Sequence, residues 1–224
     1  MEQQVAGFFG KVVSHGDFVS RRLPEAFIGP WDHWLQGGLQ HSREQLGERW
    51  LEVYLCSPVW RFALMAGVCG EPAWAGVMIP SVDRVGRYFP LTVAVAGDDV
   101  SALSRLEQDA GWYGQVERLA LSALCDGFSL NAFDSALMEL AQPSVQAPGR
   151  YSGNALLGER WLDLPDPERT ADGMPRLVAQ VQAGDSLFWT EGAPGVAPSV
   201  LMCAGLPGFA AFTPMLGGAV RPRS

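Results

Sequence analysis

The densest run of chemistry-bearing residues is Pro80-Ser81-Val82-Asp83-Arg84-Val85-Gly86-Arg87-Tyr88-Phe89-Pro90. Two arginines three apart, an acid beside the first, a glycine and an aromatic pair make an ordered connector. Two chemistries suit it, besides an unspecific phosphate-reading arginine pair. In one, Asp83 satisfies backbone N–H groups and pairs with an arginine while Arg87 clamps a loop. In the other, Arg84, Arg87 and Tyr88 present guanidinium forks and an aromatic ring to a protein partner, with Asp17 and Arg21 nearby. Asp17 and Arg21 belong to a second cluster, Gly7 to Lys11 followed by Gly16 to Pro24. Lys11 is the sole lysine beside fifteen arginines and reads as a solvated charge after a strand. Arg21 and Arg22 precede a helix start, where the dipole disfavours cations unless they reach a carboxylate. Asp17, Asp32 and Asp83 are the carboxylates considered for them.

Catalytic and metal signatures are sparse. The histidines are His15, His33 and His41, and none forms an HxxxH or HExxH pattern. Ser81, Asp83 and His15 make a candidate nucleophile set, but no Gly-x-Ser-x-Gly elbow surrounds the serine. No phosphate loop and no Gly-x-Gly-x-x-Gly signature is present. Turn stabilisation is the simpler reading of Ser81, Asp83 and Asn154. The expectation is therefore no catalytic residue, no metal and no cofactor.

The elements that must position these residues can be read from periodicity. Val5 to Phe9 is a first strand closed by Gly10. Phe27, Trp31, Trp34, Leu35 and Leu39 recur at three and four, a helical face of aromatics starting at Pro24 or Pro30. Ser42 with Gln45 signals a capping box opening a second helix that presents Leu46, Trp50, Val53 and Tyr54. Strands follow at 60–65, 74–79 and 90–96, with hairpin spacing between the first two. Residues 101–125 carry a helical period, and Asn131 with Asp134 signals a cap for another helix. Residues 142–172 read mainly as loop, a helix spans 174–183, and strands fall at 186–190 and 199–203. A short helix closes the pattern after Pro207. This order favours an α/β fold, a three-layer sandwich whose mixed sheet is covered by helices on both faces. One domain over 1–224 is the economical division, and a boundary near 145–172 is the alternative.

Composition removes several function classes. The chain has 224 residues, 48% apolar and 18% charged, enough to bury roughly 70% of its unfolded surface without a staple. Its net charge is −8, which argues against nucleic acid. No apolar run is long enough to span a membrane, and the N-terminus lacks a signal peptide's basic start and apolar stretch. Cys56, Cys69, Cys125 and Cys203 are scattered in the manner of small hydrophobes in a reducing compartment. A cytoplasmic location with no membrane insertion is expected.

Several blocks carry a resemblance. Gly7-Phe8-Phe9-Gly10-Lys11, His15-Gly16-Asp17-Phe18-Val19, Trp31-Asp32-His33-Trp34-Leu35, Trp60-Arg61-Phe62, the block Pro80 to Pro90, and Gly205-Leu206-Pro207 together resemble the TagF proteins of bacterial type VI secretion. The resemblance implies a single three-layer α/β domain without catalytic activity. It implies a cytoplasmic post-translational repressor that binds and sequesters the system's forkhead-associated scaffold protein. Some relatives carry a fused phosphatase domain, whose aspartate-rich metal motifs are missing from this sequence. The implied repression is stoichiometric. Asp17, Arg21, Asp83, Arg84, Arg87 and Tyr88 are the protein-binding candidates that local chemistry offers. A structural component of the apparatus and a small-molecule enzyme are the competing classes.

Overall fold

The computed structural model describes residues 5–97, 110–140, 158–163 and 181–217. Eight strands join one sheet: β1 Gly7–Gly10, β2 Val19–Arg21, β3 Trp60–Leu64, β4 Ala73–Ile79, β5 Leu91–Gly97, β6 Arg160–Asp163, β7 Asp185–Thr190 and β8 Ser199–Ala204. Their spatial order is β2-β1-β5-β4-β3-β7-β8-β6. Every pairing is antiparallel, which corrects the expected mixed sheet. Hairpins join β1 to β2, β3 to β4, β4 to β5 and β7 to β8, and a two-strand hairpin can pair only in that sense. Strands from Gly7 to Ala204 share this sheet, so both halves of the chain contribute to it.

The register draws one row across seven strands: Gly7, Ala94, Gly76, Phe62, Phe188, Leu201 and Trp161. Gly76 has no substitute there. A Cβ would lie 2.3 Å from the Val93 carbonyl and 2.6 Å from the Phe62 ring. Successive strand residues point to opposite sides of a sheet, and the apolar residues separate accordingly into two clusters. Phe8, Ala63, Ala75, Val77 and Val93 pack with Trp112, Tyr113, Val116, Phe133 and Leu137. Phe9, Phe62, Leu64, Trp74, Met78 and Phe188 pack with Phe27, Trp31, Trp34, Trp50, Tyr54, Phe212 and Met215.

The helices among the described residues are α1 Glu25–Leu46, α2 Trp50–Leu55, α3 Ala110–Ser122, α4 Leu130–Glu139 and α5 Phe209–Leu216. Pro24 is the N-cap of α1, which continues through Pro30 at the cost of one ladder bond. Its buried face is the anticipated one: Phe27, Trp31, Trp34, Leu35 and Leu39. Trp31 Nε1 donates to Thr92 Oγ1 at 2.9 Å and so satisfies a buried indole on the sheet. Ser42 does not open a second helix. It lies inside α1, donates to the Leu39 carbonyl and accepts from Trp50 Nε1, both at 2.9 Å. Its hydroxyl thus ties α1 to α2, and α2 begins only after a single 3-10 turn at Gly47–Arg49. Gly37 and Gly38 admit α5, since a Cβ on them would meet the Phe209 ring at 2.4 Å and the Phe212 ring at 2.6 Å.

Three further readings need correction. Ser129, not Asn131, caps α4, accepting from Ala132 N–H at 3.3 Å. Residues 160–163 form the edge strand β6 inside the stretch read as loop. The three-residue β2 was not anticipated. The rest of 142–172, the helical period over 101–109 and residues 174–180 of the expected helix lie outside the described residues, while its expected last turn, 181–183, is irregular backbone and turn leading into β7. No helix among the described residues is long and apolar enough to cross a membrane.

Candidate protein-binding loops

The β1–β2 connection, residues 11–18, and the β4–β5 connection, residues 80–90, emerge side by side. Register compels this: Phe9 pairs with Thr92 while Ile79 pairs with Leu91, so both hairpins turn at the same end of the sheet. Gly10, at φ +143°, passes so close to Pro90 that a Cβ would overlap the Pro90 carbonyl. The second loop closes on itself through Asp83 N–H to the Arg87 carbonyl, Gly86 N–H to the Asp83 carbonyl and Phe89 N–H to the Ser81 carbonyl. It is fastened to the first by Arg84 N–H donating to the His15 carbonyl at 2.9 Å. Arg87 Nη2 donates to the Gly16 carbonyl as well.

Asp83 is the hub. Its carboxylate accepts from Lys11 Nζ at 2.6 Å, Arg87 Nε at 2.7 Å, Arg87 N–H at 2.9 Å and Val85 N–H at 3.0 Å. Burial opposes ionisation of this carboxyl, but the Lys11 and Arg87 contacts and the Val85 amide outweigh it and hold it well below the usual carboxylate range. Lys11 is therefore no solvated charge. It is buried, and only a partner 72 residues away makes that tolerable. Tyr54 clasps the loop from α2: its hydroxyl accepts from Ser81 N–H at 2.9 Å and donates to the Ser81 carbonyl at 3.0 Å. Burial pushes the Tyr54 phenol well above its ordinary range.

The binding candidates separate by position. Asp17, Arg84 and Arg87 stand exposed on the paired loops. Asp83 is buried and fully engaged, so it shapes the loops from within. Tyr88 is half-buried, edge-on to Tyr54 and Trp50 at 5.8 and 6.0 Å, and anchors the loop to α2. Arg21 is exposed on the edge strand β2, where Nη1 donates to the Ser20 carbonyl. Arg22 reaches none of the three anticipated carboxylates. With φ at +59°, it turns to donate to the Ala6 carbonyl at 2.9 Å and to Asp134 of α4 at 2.5 Å.

Two exposed apolar side chains complete the surface, and neither was singled out from sequence. Val85 is 63% exposed at the tip of the second loop. Phe18 is 44% exposed, stacked on Phe9 at 5.5 Å and edge-on to Phe89 at 4.9 Å. A signal for Phe18 existed, since it breaks a polar turn, but burial and exposure look alike in one dimension. Ser81 Oγ is buried and donates to the Lys11 carbonyl at 2.7 Å, and His15 Nδ1 lies 2.8 Å from Ser14 Oγ. Among the described residues no group of three or more His, Cys, Asp or Glu is arranged to hold a metal ion.

A family model described as the TagF N-terminal domain, type VI secretion system-associated, matches residues 7–140, which include both loops. The crystal structure of PA0076 from Pseudomonas aeruginosa PAO1 superposes with a TM-score of 0.78 at 37% sequence identity, over 98% of this chain and 97% of that one. Comparison with curated proteins gives no match.

Proposed function

The chain belongs to the TagF family of type VI secretion system-associated proteins, and from that premise we propose that it is a non-enzymatic, cytoplasmic repressor of the system's assembly. In this reading it binds the forkhead-associated scaffold protein and withholds it from the apparatus. One observation carries the binding mode. The paired loops are fixed from inside by the Lys11–Asp83–Arg87 cluster, while Arg84, Val85 and Phe18 face outward. A surface that is already ordered loses little entropy on docking, which is what stoichiometric sequestration requires.

The same reading assigns the two apolar clusters to opposite faces of the sheet, with α3 and α4 over one and α1, α2 and α5 over the other. That layering supports the loops on a rigid platform. The hydroxyl of Ser81 and the carboxylate of Asp83 are spent on structural contacts, which favours occupancy of a partner over turnover.

The test combines the purified chain with the purified scaffold on a sizing column and measures type VI secretion when the chain is overproduced. A complex of fixed stoichiometry with falling secretion supports the reading. Two separate peaks, or recovery of the chain within the assembled apparatus, would refute it.

A further inference from the structure

We infer that the two-loop tip recognises an acidic protein segment, with Phe18 entering an apolar recess between carboxylates that engage Arg84 and Arg87; this rests on the partner-binding reading above. The charge pattern supplies the first argument. With Lys11 and Asp83 buried against each other, the loops present Arg84 and Arg87 against Asp17, a cationic tip on a molecule of net charge −8. Arg84 makes no side-chain hydrogen bond or ion pair among the described residues, although its backbone N–H is fixed by His15. Arg87 spends Nε and Nη2 inward, and its side chain is still 57% exposed. Asp17 has one carboxylate oxygen turned to the Phe18 N–H at 2.9 Å. An acidic partner is repelled by most of this molecule and admitted at the tip, which selects orientation as well as identity.

The second argument is apolar. Exposed phenylalanines are usually mobile, but Phe18 is held by Phe9 beneath and Phe89 beside it, with Lys11 Nζ 5.1 Å from its ring centroid. The ring is a preformed anchor. Aromatic and arginine side chains are the types enriched at protein interfaces.

The sequence offers an unusual test. Lys11 is the only lysine and it is buried, so Arg84→Lys places one accessible side-chain amine at the tip. The full chain carrying this change is mixed with the purified scaffold and treated with a zero-length carbodiimide, which joins an amine only to a touching carboxylate. Mass spectrometry should find position 84 joined to an Asp or Glu of the scaffold. Phe18→Ala should weaken binding by about ten- to a hundredfold, with thermal melts confirming that both variants fold. A folded Arg84→Lys chain that no longer binds also supports the surface. Binding without a cross-link at position 84, or wild-type affinity in folded Phe18→Ala, overturns the surface and leaves the partner-binding reading standing. Failure of the wild-type chain to bind the scaffold overturns both.

Discussion

Lys11 and Asp83, 72 residues apart in sequence, meet as a buried ion pair with 2.6 Å between Nζ and Oδ2. The pair is the internal latch of the two loops, and its halves are unequal. Asp83 also serves Arg87 and two backbone amides, whereas the ammonium of Lys11 is held by Asp83. Removing the hub orphans more groups than removing one spoke. Asp83→Ala should therefore lower Tm by several degrees and Lys11→Met by less, as calorimetry can establish. Equal losses would show that the amides contribute nothing.

The pH dependence of this latch has a defined sign. The folded pKa of Asp83 lies below its ordinary value of 3.8, so its contribution is fully present above about pH 4. It drains away as pH falls through the folded value. Asp32 and Asp185 act oppositely. Burial raises both from 3.8, so their share of stability falls as pH rises just above that. Comparing urea midpoints of wild type and Asp83→Asn cancels those two groups. The gap should be constant from pH 7 to about 5 and should narrow below pH 4. A gap independent of pH would remove the carboxylate from the account.

Tyr54→Phe tests the clasp on Ser81. The Ser81 carbonyl keeps a second donor, the Phe89 N–H at 3.1 Å, so only the Ser81 N–H loses its partner. One orphaned buried donor costs about 1–3 kcal/mol. Denaturant unfolding should show a loss in that range, and amide exchange at Ser81 should accelerate while the β3–β4 ladder stays protected.

How much of this was legible in the sequence depended on range. Strand and helix faces were, because Phe27, Trp31, Trp34 and Leu35 repeat at a period that local geometry fixes. The intraloop role of Asp83 was also visible, since its amides and Arg87 lie within four residues. Lys11 was not, because its burial depends on a carboxylate brought by β1–β5 register. Ser42 misled for a related reason. Its capping pattern is real, but Trp50 and the buried face of α1 offer the same hydroxyl more. Edge strands β2 and β6 are too short to show alternation, and only their neighbours make them strands.

Gly37 and Gly38 should respond oppositely to alanine. Alanine gains about 1 kcal/mol over glycine inside a helix. At Gly38 the new methyl meets the Cβ and ring of buried Phe212 at 2.6 to 2.9 Å, and such overpacking costs about 1–3 kcal/mol. At Gly37 it meets the Phe209 ring, which is 40% exposed and free to swing outward. Gly38→Ala should lower the unfolding midpoint, while Gly37→Ala should leave it unchanged or raise it.

The sharpest division between folding and function falls on the two arginines of one loop. Arg87 holds Asp83 and the Gly16 carbonyl, so Arg87→Ala removes part of the latch. Arg84 contributes only its backbone N–H to the fold among the described contacts, and alanine keeps that donor. Surface changes of this kind usually stay within about 0.5 kcal/mol. Arg84→Ala should therefore melt like wild type while losing tenfold or more in scaffold affinity and releasing secretion from repression. Arg87→Ala should lose both stability and binding. If Arg84→Ala repressed fully while Arg87→Ala failed only to the extent that it unfolds, the loops would be scaffolding and the partner would sit elsewhere.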